Sequence, residues 1–103
     1  MWAQMITTRL KPGREGNLAK LAEALQTSEQ PDSGLVRSTM MRDDSDASRL
    51  CLLVVFESQE KARARENDER RLEPLGKVRT LMGEIFDGPP EFADLTVVEE
   101  WGP

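Results

Sequence analysis

A chain of 103 residues lies in the size range of one domain with one modest core, and its 38% hydrophobic and 32% charged residues are the balance of a globular protein. The formal charge of -5 and pI near 4.8 oppose binding to nucleic acid, where counterion release needs clustered Lys and Arg. With no His and a single cysteine, Cys51, the chain lacks imidazole catalysis, His-ligated haem, most zinc sites and an internal disulfide, so neither a metal nor another cofactor is expected.

The elements follow in chain order. A strand-like run over residues 2–10 is closed by Lys11-Pro12-Gly13, where Pro withholds a ladder donor and Gly permits a change of direction. Leu18, Leu21, Ala22 and Leu25 then recur at helical spacing and make one apolar stripe, with Lys20, Glu23 and Gln26 turned to water. Residues 28–34, with Pro31, Asp32 and Ser33, read as a loop, and residues 35–42 as a second strand. A polar connection over 43–48 joins it to a third, which predicts an antiparallel hairpin.

The third strand, residues 50–56, is apolar on both faces: Leu50, Leu52, Val54 and Phe56 on one, Cys51, Leu53 and Val55 on the other. Two helices cover one face only. The other face is therefore expected to meet the sheet of a second copy, giving a homodimer. Cys51 reads as a small core residue within this strand and not as a nucleophile.

Ser58 is a candidate N-cap for a charged helix over 59–72; Pro74 is expected to interrupt it before a second helical segment over 75–86, whose stripe is Leu75, Val78, Leu81 or Met82, and Ile85. Asp87-Gly88-Pro89-Pro90 is a loop leading to a last strand over 95–101. The order β-α-β-β-α-β predicts an α+β, ferredoxin-like chain with a four-stranded antiparallel sheet, one domain over residues 1–103. The longest apolar run, residues 50–56, is far short of a membrane span, and the start lacks a signal-peptide pattern. A cytoplasmic protein with no membrane partner is expected.

Three stretches carry a family resemblance: the opening strand ending in Lys11-Pro12-Gly13, the third strand passing into Phe56-Glu57-Ser58, and Leu95-Thr96-Val97-Val98-Glu99. With them the chain resembles, over nearly its whole length, the antibiotic-biosynthesis monooxygenase-like family of dimeric α+β barrels. The resemblance implies two four-stranded sheets facing each other, helices outside, and a pocket between sheet and helices in each subunit. It also implies a range of functions: oxidation of polycyclic aromatic or quinol-type substrates by dioxygen without metal or flavin, haem degradation, or no established activity. Haem-degrading relatives use an Asn in the first strand, a His or Trp early in the charged helix and a His farther on. This chain has Ile6, Arg65 and Leu75 at the corresponding positions, so the resemblance does not extend to haem degradation.

Within that pocket, Arg65 is the candidate catalytic group, because a guanidinium anchors an anionic or enolate oxygen through paired donors. The alternative is solvation, with Arg65 paired to Glu69 and Glu66 to Arg70 at i,i+4 spacing. Asn67 and Gln4 are candidates to orient substrate oxygens, their alternative being plain exposure; Thr8 shares the strand face of Gln4. Trp2, Ile6, Phe56 and Met82 are candidate lining residues for a lipophilic ligand, and Trp101 is placed to pack across the dimer. Asp44, Asp46 and Ser48 have the spacing that opens a calcium loop, but Arg49 and Val55 stand where that loop needs Gly and Glu, which leaves a solvated turn. The resulting expectation is a small homodimeric pocket protein, a cofactor-independent monooxygenase of an electron-rich aromatic. The alternative is a non-enzymatic small-molecule-binding or stress-associated protein, favoured by the absence of His and Tyr.

Overall fold

In the computed structural model, which describes residues 1–103, the first strand, β1 (Trp2–Arg9), lies inside a sheet of order β2-β3-β1-β4 with every neighbouring pair antiparallel. The other strands are β2 (Leu35–Asp43), β3 (Asp46–Phe56) and β4 (Glu91–Thr96), and the helices are α1 (Leu18–Ser28), α2 (Gln59–Glu66) and α3 (Leu72–Ile85). This is the ferredoxin-like α+β arrangement expected from the order of period changes. No helix is long and apolar enough to cross a membrane.

Side chains alternate across a strand, so the register sorts them onto two faces. Leu50, Leu52, Val54 and Phe56 lie toward the helices. Leu50 (2% exposed) packs with Leu10, Leu21, Ala24, Val78 and Ile85, while Val54 and Phe56 pack with Trp2 and Ala62 of the α2 side. Fully burying such a side chain stabilises a fold by roughly 1.5–3 kcal/mol. On the other face, where no helix packs, Met5, Cys51 and Leu53 are half-buried and Met41 and Leu95 exposed, while Ala3 and Val55 at one end of it are buried. Cys51 is thus on the uncovered face, not in the core.

The hairpin turn is tighter than expected. Asp43 accepts from the Ser45 amide at 2.8 Å and Asp46 from the Ser48 amide at 3.1 Å, so side chains close the turn and pairing begins at Asp43↔Asp46. At the other end a bulge between Leu35 and Arg37 turns Val36 outward.

Two boundaries differ from expectation. The charged helix ends at Glu66, not Leu72: Asn67 closes it, and the Asp68 carboxylate accepts from the Arg70 amide at 3.0 Å to start a short 3-10 turn, Glu69–Arg71. Pro74 does not break α3 but sits in its first turn, where its missing N–H has no helical partner to lose. The last strand is Glu91–Thr96, not 95–101. Its Thr96 already pairs with Trp2, the first residue of β1, and beyond it only the Met1 carbonyl remains to accept from Val97, at 3.2 Å. The following segment reaches from β4 at one sheet edge to β2 at the other, where Arg37 pairs with Glu100 at 3.1 Å. Trp101 is left 86% exposed.

Candidate functional site

Because α1 packs on α3 while α2 packs on β3, the helices leave a gap over the middle of the sheet. That gap is a cavity of about 760 Å³, within the usual range of small-molecule sites. The sheet supplies Gln4 and Ile6 of β1, with their cross-strand partners Val54 and Leu52 of β3, then Ser38 and Met40 of β2 opposite those. Phe56 and the exposed Phe92 extend this wall, and Leu25, Leu75, Val78 and Met82 form the helical one. Of the 21 lining residues 12 are hydrophobic, so shape and apolar area set what fits.

The polar groups are concentrated where α2 leads into α3. Arg65 lines the cavity with its Cζ 5.2 Å from the centre of the Phe56 ring, a cation-π distance. Its Nε donates to both carboxylate oxygens of Glu29, at 2.7 and 2.9 Å, and neither side chain is more than one-fifth exposed. Arg65 is therefore neither free nor paired with Glu69. Glu66 likewise takes Arg63 (3.0 Å) instead of Arg70, which holds Asp68 and Asp32.

Gln4 also uses its donor within the protein: its Nε2 donates to Asp94 at 3.1 Å, and the other oxygen of Asp94 accepts from Arg63 at 3.0 Å. Arg63 lies 5.2 Å over the Trp2 ring, which in turn meets Phe56 at 6.0 Å between centres. Trp2 thus backs Phe56 from outside the cavity. Asn67 is exposed, donates to the Arg63 carbonyl at 3.2 Å and closes α2, away from the cavity. The structure brings together Gln4, Ile6, Phe56, Arg65 and Met82; Trp2 and Asn67 lie outside.

Arg71 is the group the sequence reading missed. It is only 6% exposed, lines the cavity, and donates only from Nη1, to the Arg65 carbonyl at 3.3 Å. Its Nε is enclosed with no partner. Burial, with the nearby Arg65 charge, lowers its pKa from the ordinary arginine value. The available signal was the Arg70-Arg71 pair in the turn before a helix: one arginine donates outward to the capping Asp68, and the next, turned by about 120° in the 3-10 turn, faces in. In all, the lining holds four arginines, Arg37, Arg65, Arg71 and Arg79, against two glutamates, Glu29 and Glu66, so it favours anions.

A second hollow, of about 350 Å³, lies at the opposite end of β1 and has no hydrophobic lining. Thr8 belongs to it, with its hydroxyl buried and unpartnered, and not to the larger cavity. No group of three or more Asp, Glu or Cys side chains converges anywhere on the chain in a way that could hold a metal ion.

No family model matches the chain, and no curated protein matches it. Solved structures do. A candidate antibiotic biosynthesis monooxygenase of Bordetella bronchiseptica superposes with a TM-score of 0.73 at 25% identity, covering 95% of this chain and 98% of that one. One of Chloroflexus aurantiacus gives 0.67 at 18% identity over 98% and 96%. SnoaB, a cofactor-independent oxygenase of Streptomyces nogalater, was solved as a point mutant and gives 0.66 at 13% over 96% and 94%. The chain therefore shares, over nearly its full length, the fold of the antibiotic biosynthesis monooxygenase-like proteins.

Proposed function

We propose that the protein is a small-molecule-binding, monooxygenase-like protein whose larger cavity takes an electron-rich aromatic or quinol-type compound. The carrying observation is the cavity itself: about 760 Å³, mostly apolar, with the Arg65 guanidinium held against the Phe56 ring. In this reading one domain, residues 1–103, forms a cytoplasmic homodimer by its uncovered sheet face and uses no metal or organic cofactor.

The substrate supplies the electrons. An activated CH2 group loses a proton to give a carbanion delocalised onto its ring oxygens, which adds dioxygen and, on protonation, forms a hydroperoxide. Loss of water then leaves a carbonyl, so one oxygen atom enters the product and the other leaves as water. The protein's part is burial, orientation and charge: Ile6, Leu52 and Met82 exclude water, and Arg65 stabilises the delocalised anion with the Nη groups that Glu29 leaves free. Gln4 orients an oxygen after exchanging its bond to Asp94. Asn67, outside the cavity, has no part in this step.

The test is incubation of purified protein with anthrones, quinols and flavonoids under 18O2, with products identified by mass. Protein-dependent gain of one labelled oxygen supports turnover. No product above the protein-free reaction for any compound removes the enzymatic reading. A second reading, ligand binding without turnover, is favoured by the engagement of Gln4 and Arg65 with Asp94 and Glu29 and by the lack of His and Tyr as proton carriers. Saturable binding of a panel member with no oxygen incorporated would decide for it.

A further inference from the structure

Three carboxylates lie near Arg71, and each is already engaged elsewhere: Glu29 by Arg65, Glu66 by Arg63 and Asp68 by Arg70. Arg71 makes no ion pair of its own. Its single donated bond leaves from Nη1; Nε is enclosed and Nη2 has no protein partner, so Nη2 is the donor left to meet a carboxylate from the cavity. A buried guanidinium in that condition is a preformed anion receptor whose anion the chain does not provide.

We infer that Arg71 anchors a carboxylate-bearing aromatic ligand in the larger cavity, with the carboxylate on its unpartnered Nη2 and the ring system along Leu52, Phe56 and Met82. The inference rests on the ligand-binding reading of the cavity and adds to it the class of ligand: an aromatic acid, not a neutral ring. The excess of arginine over glutamate in the lining acts in the same direction. Arg71 binds and positions here; it carries no reaction step.

The experiment compares 2-naphthoate with its neutral isostere 2-naphthamide by calorimetric titration of the wild type, Arg71→Met and Arg71→Lys, together with the melting temperature of each protein without ligand. In the wild type the acid should bind at least about tenfold more tightly than the amide. Arg71→Met should erase that ratio while leaving the amide within about twofold, and should melt no lower than the wild type, since it removes an uncompensated buried charge. Arg71→Lys, a point charge without the fork, should keep part of the ratio. Equal binding of acid and amide by the wild type overturns the inference and leaves the cavity reading standing. So does an Arg71→Met variant that melts lower and weakens both ligands alike, which is the mark of a structural arginine. Binding of neither compound removes the cavity reading and the inference with it. If Arg71→Met fails to fold, the wild-type ratio and the Lys variant still decide.

Discussion

Glu29 and Arg65, 36 residues apart in sequence, form the pair that closes the polar end of the cavity, one Nε bonded to two carboxylate oxygens at 2.7 and 2.9 Å. Glu29 is the first residue after α1 and Arg65 lies in the last turn of α2, while the Arg65 guanidinium rests on Phe56 of β3. One contact thus joins three elements. With side chains 18% and 14% exposed, the two charges are poorly screened, and each depends on the other for compensation.

Arg65→Ala should therefore destabilise the fold by about 1–3 kcal/mol, well beyond the few tenths of a solvated surface pair. Glu29→Ala should cost a similar amount, and the double variant should cost less than the sum, with a coupling of about 0.5–3 kcal/mol. Urea unfolding of the four proteins measures this. Strict additivity would show that the two side chains act independently.

The strand and helix order was legible because the elements carry distinct patterns: a short unbroken apolar run bounded by polar turns in residues 50–56, three-and-four spacing from Leu18 to Leu25. β4 was read too late because it is an edge strand whose Glu91 and Asp94 break the apolar pattern, while Val97 and Val98 prolong the pattern of Leu95 past Thr96, where β1 has no residue left to pair. Strand parity put Gln4, Ile6 and Phe56 on the cavity side, but parity cannot show that Trp2, on the same side, sits behind Phe56 under Arg63. Pairing of Arg65 with Glu29 and enclosure of Arg71 arise from packing of α1 against the α2–α3 junction, a long-range event with no local signature.

Gly34 enters β2 at a φ of +83°, and a Cβ there would lie 2.6 and 2.7 Å from the Cδ and Cβ of Lys61 on α2. The Lys61 Cδ can swing away, but its Cβ is fixed to the helix. Gly34→Ala should cost roughly 1–2 kcal/mol for the left-handed backbone, plus whatever shift of α2 relieves the contact. Because α2 carries Arg65, ligand affinity in the cavity should fall along with the melting temperature. A variant that melts as the wild type would show that the loop relaxes without moving α2.

Leu53 lies half-buried on the uncovered sheet face, opposite Met5 on β1 and Thr39 on β2. If this face joins two copies, Leu53→Asp buries an unpaired carboxylate at the join and should yield a species sedimenting at the chain mass of 11.6 kDa, where the wild type gives twice that. Leu52→Asp, on the cavity side, should disturb ligand binding and the core instead. A wild type that sediments at the chain mass at micromolar concentration would remove the homodimer from the proposed function.

Asp68 ties the α2–α3 junction together in an acid-sensitive way. Side-chain and backbone hydrogen bonds from Arg70 lower its carboxyl pKa from 3.8 to about 2. A carboxyl depressed in the folded state stabilises it above the unfolded value, near 3.8, and that stabilisation fades as pH falls toward the folded value near 2. Asp68→Asn keeps an oxygen to accept from the Arg70 amide but cannot ionise, so it separates the cap from the charge. Asp43 and Asp46 are also depressed, chiefly by hydrogen bonds from Ser45 and Ser48, and weaken in the same acid range, so the wild type alone does not isolate Asp68. The difference between wild type and variant does, because those two groups are common to both. Urea midpoints between pH 6 and pH 2 should show the wild type ahead at pH 6 and the gap closing below about pH 4. A gap that stays constant down to pH 2 would mean that the Asp68 charge contributes nothing at the junction and that only its capping oxygen matters.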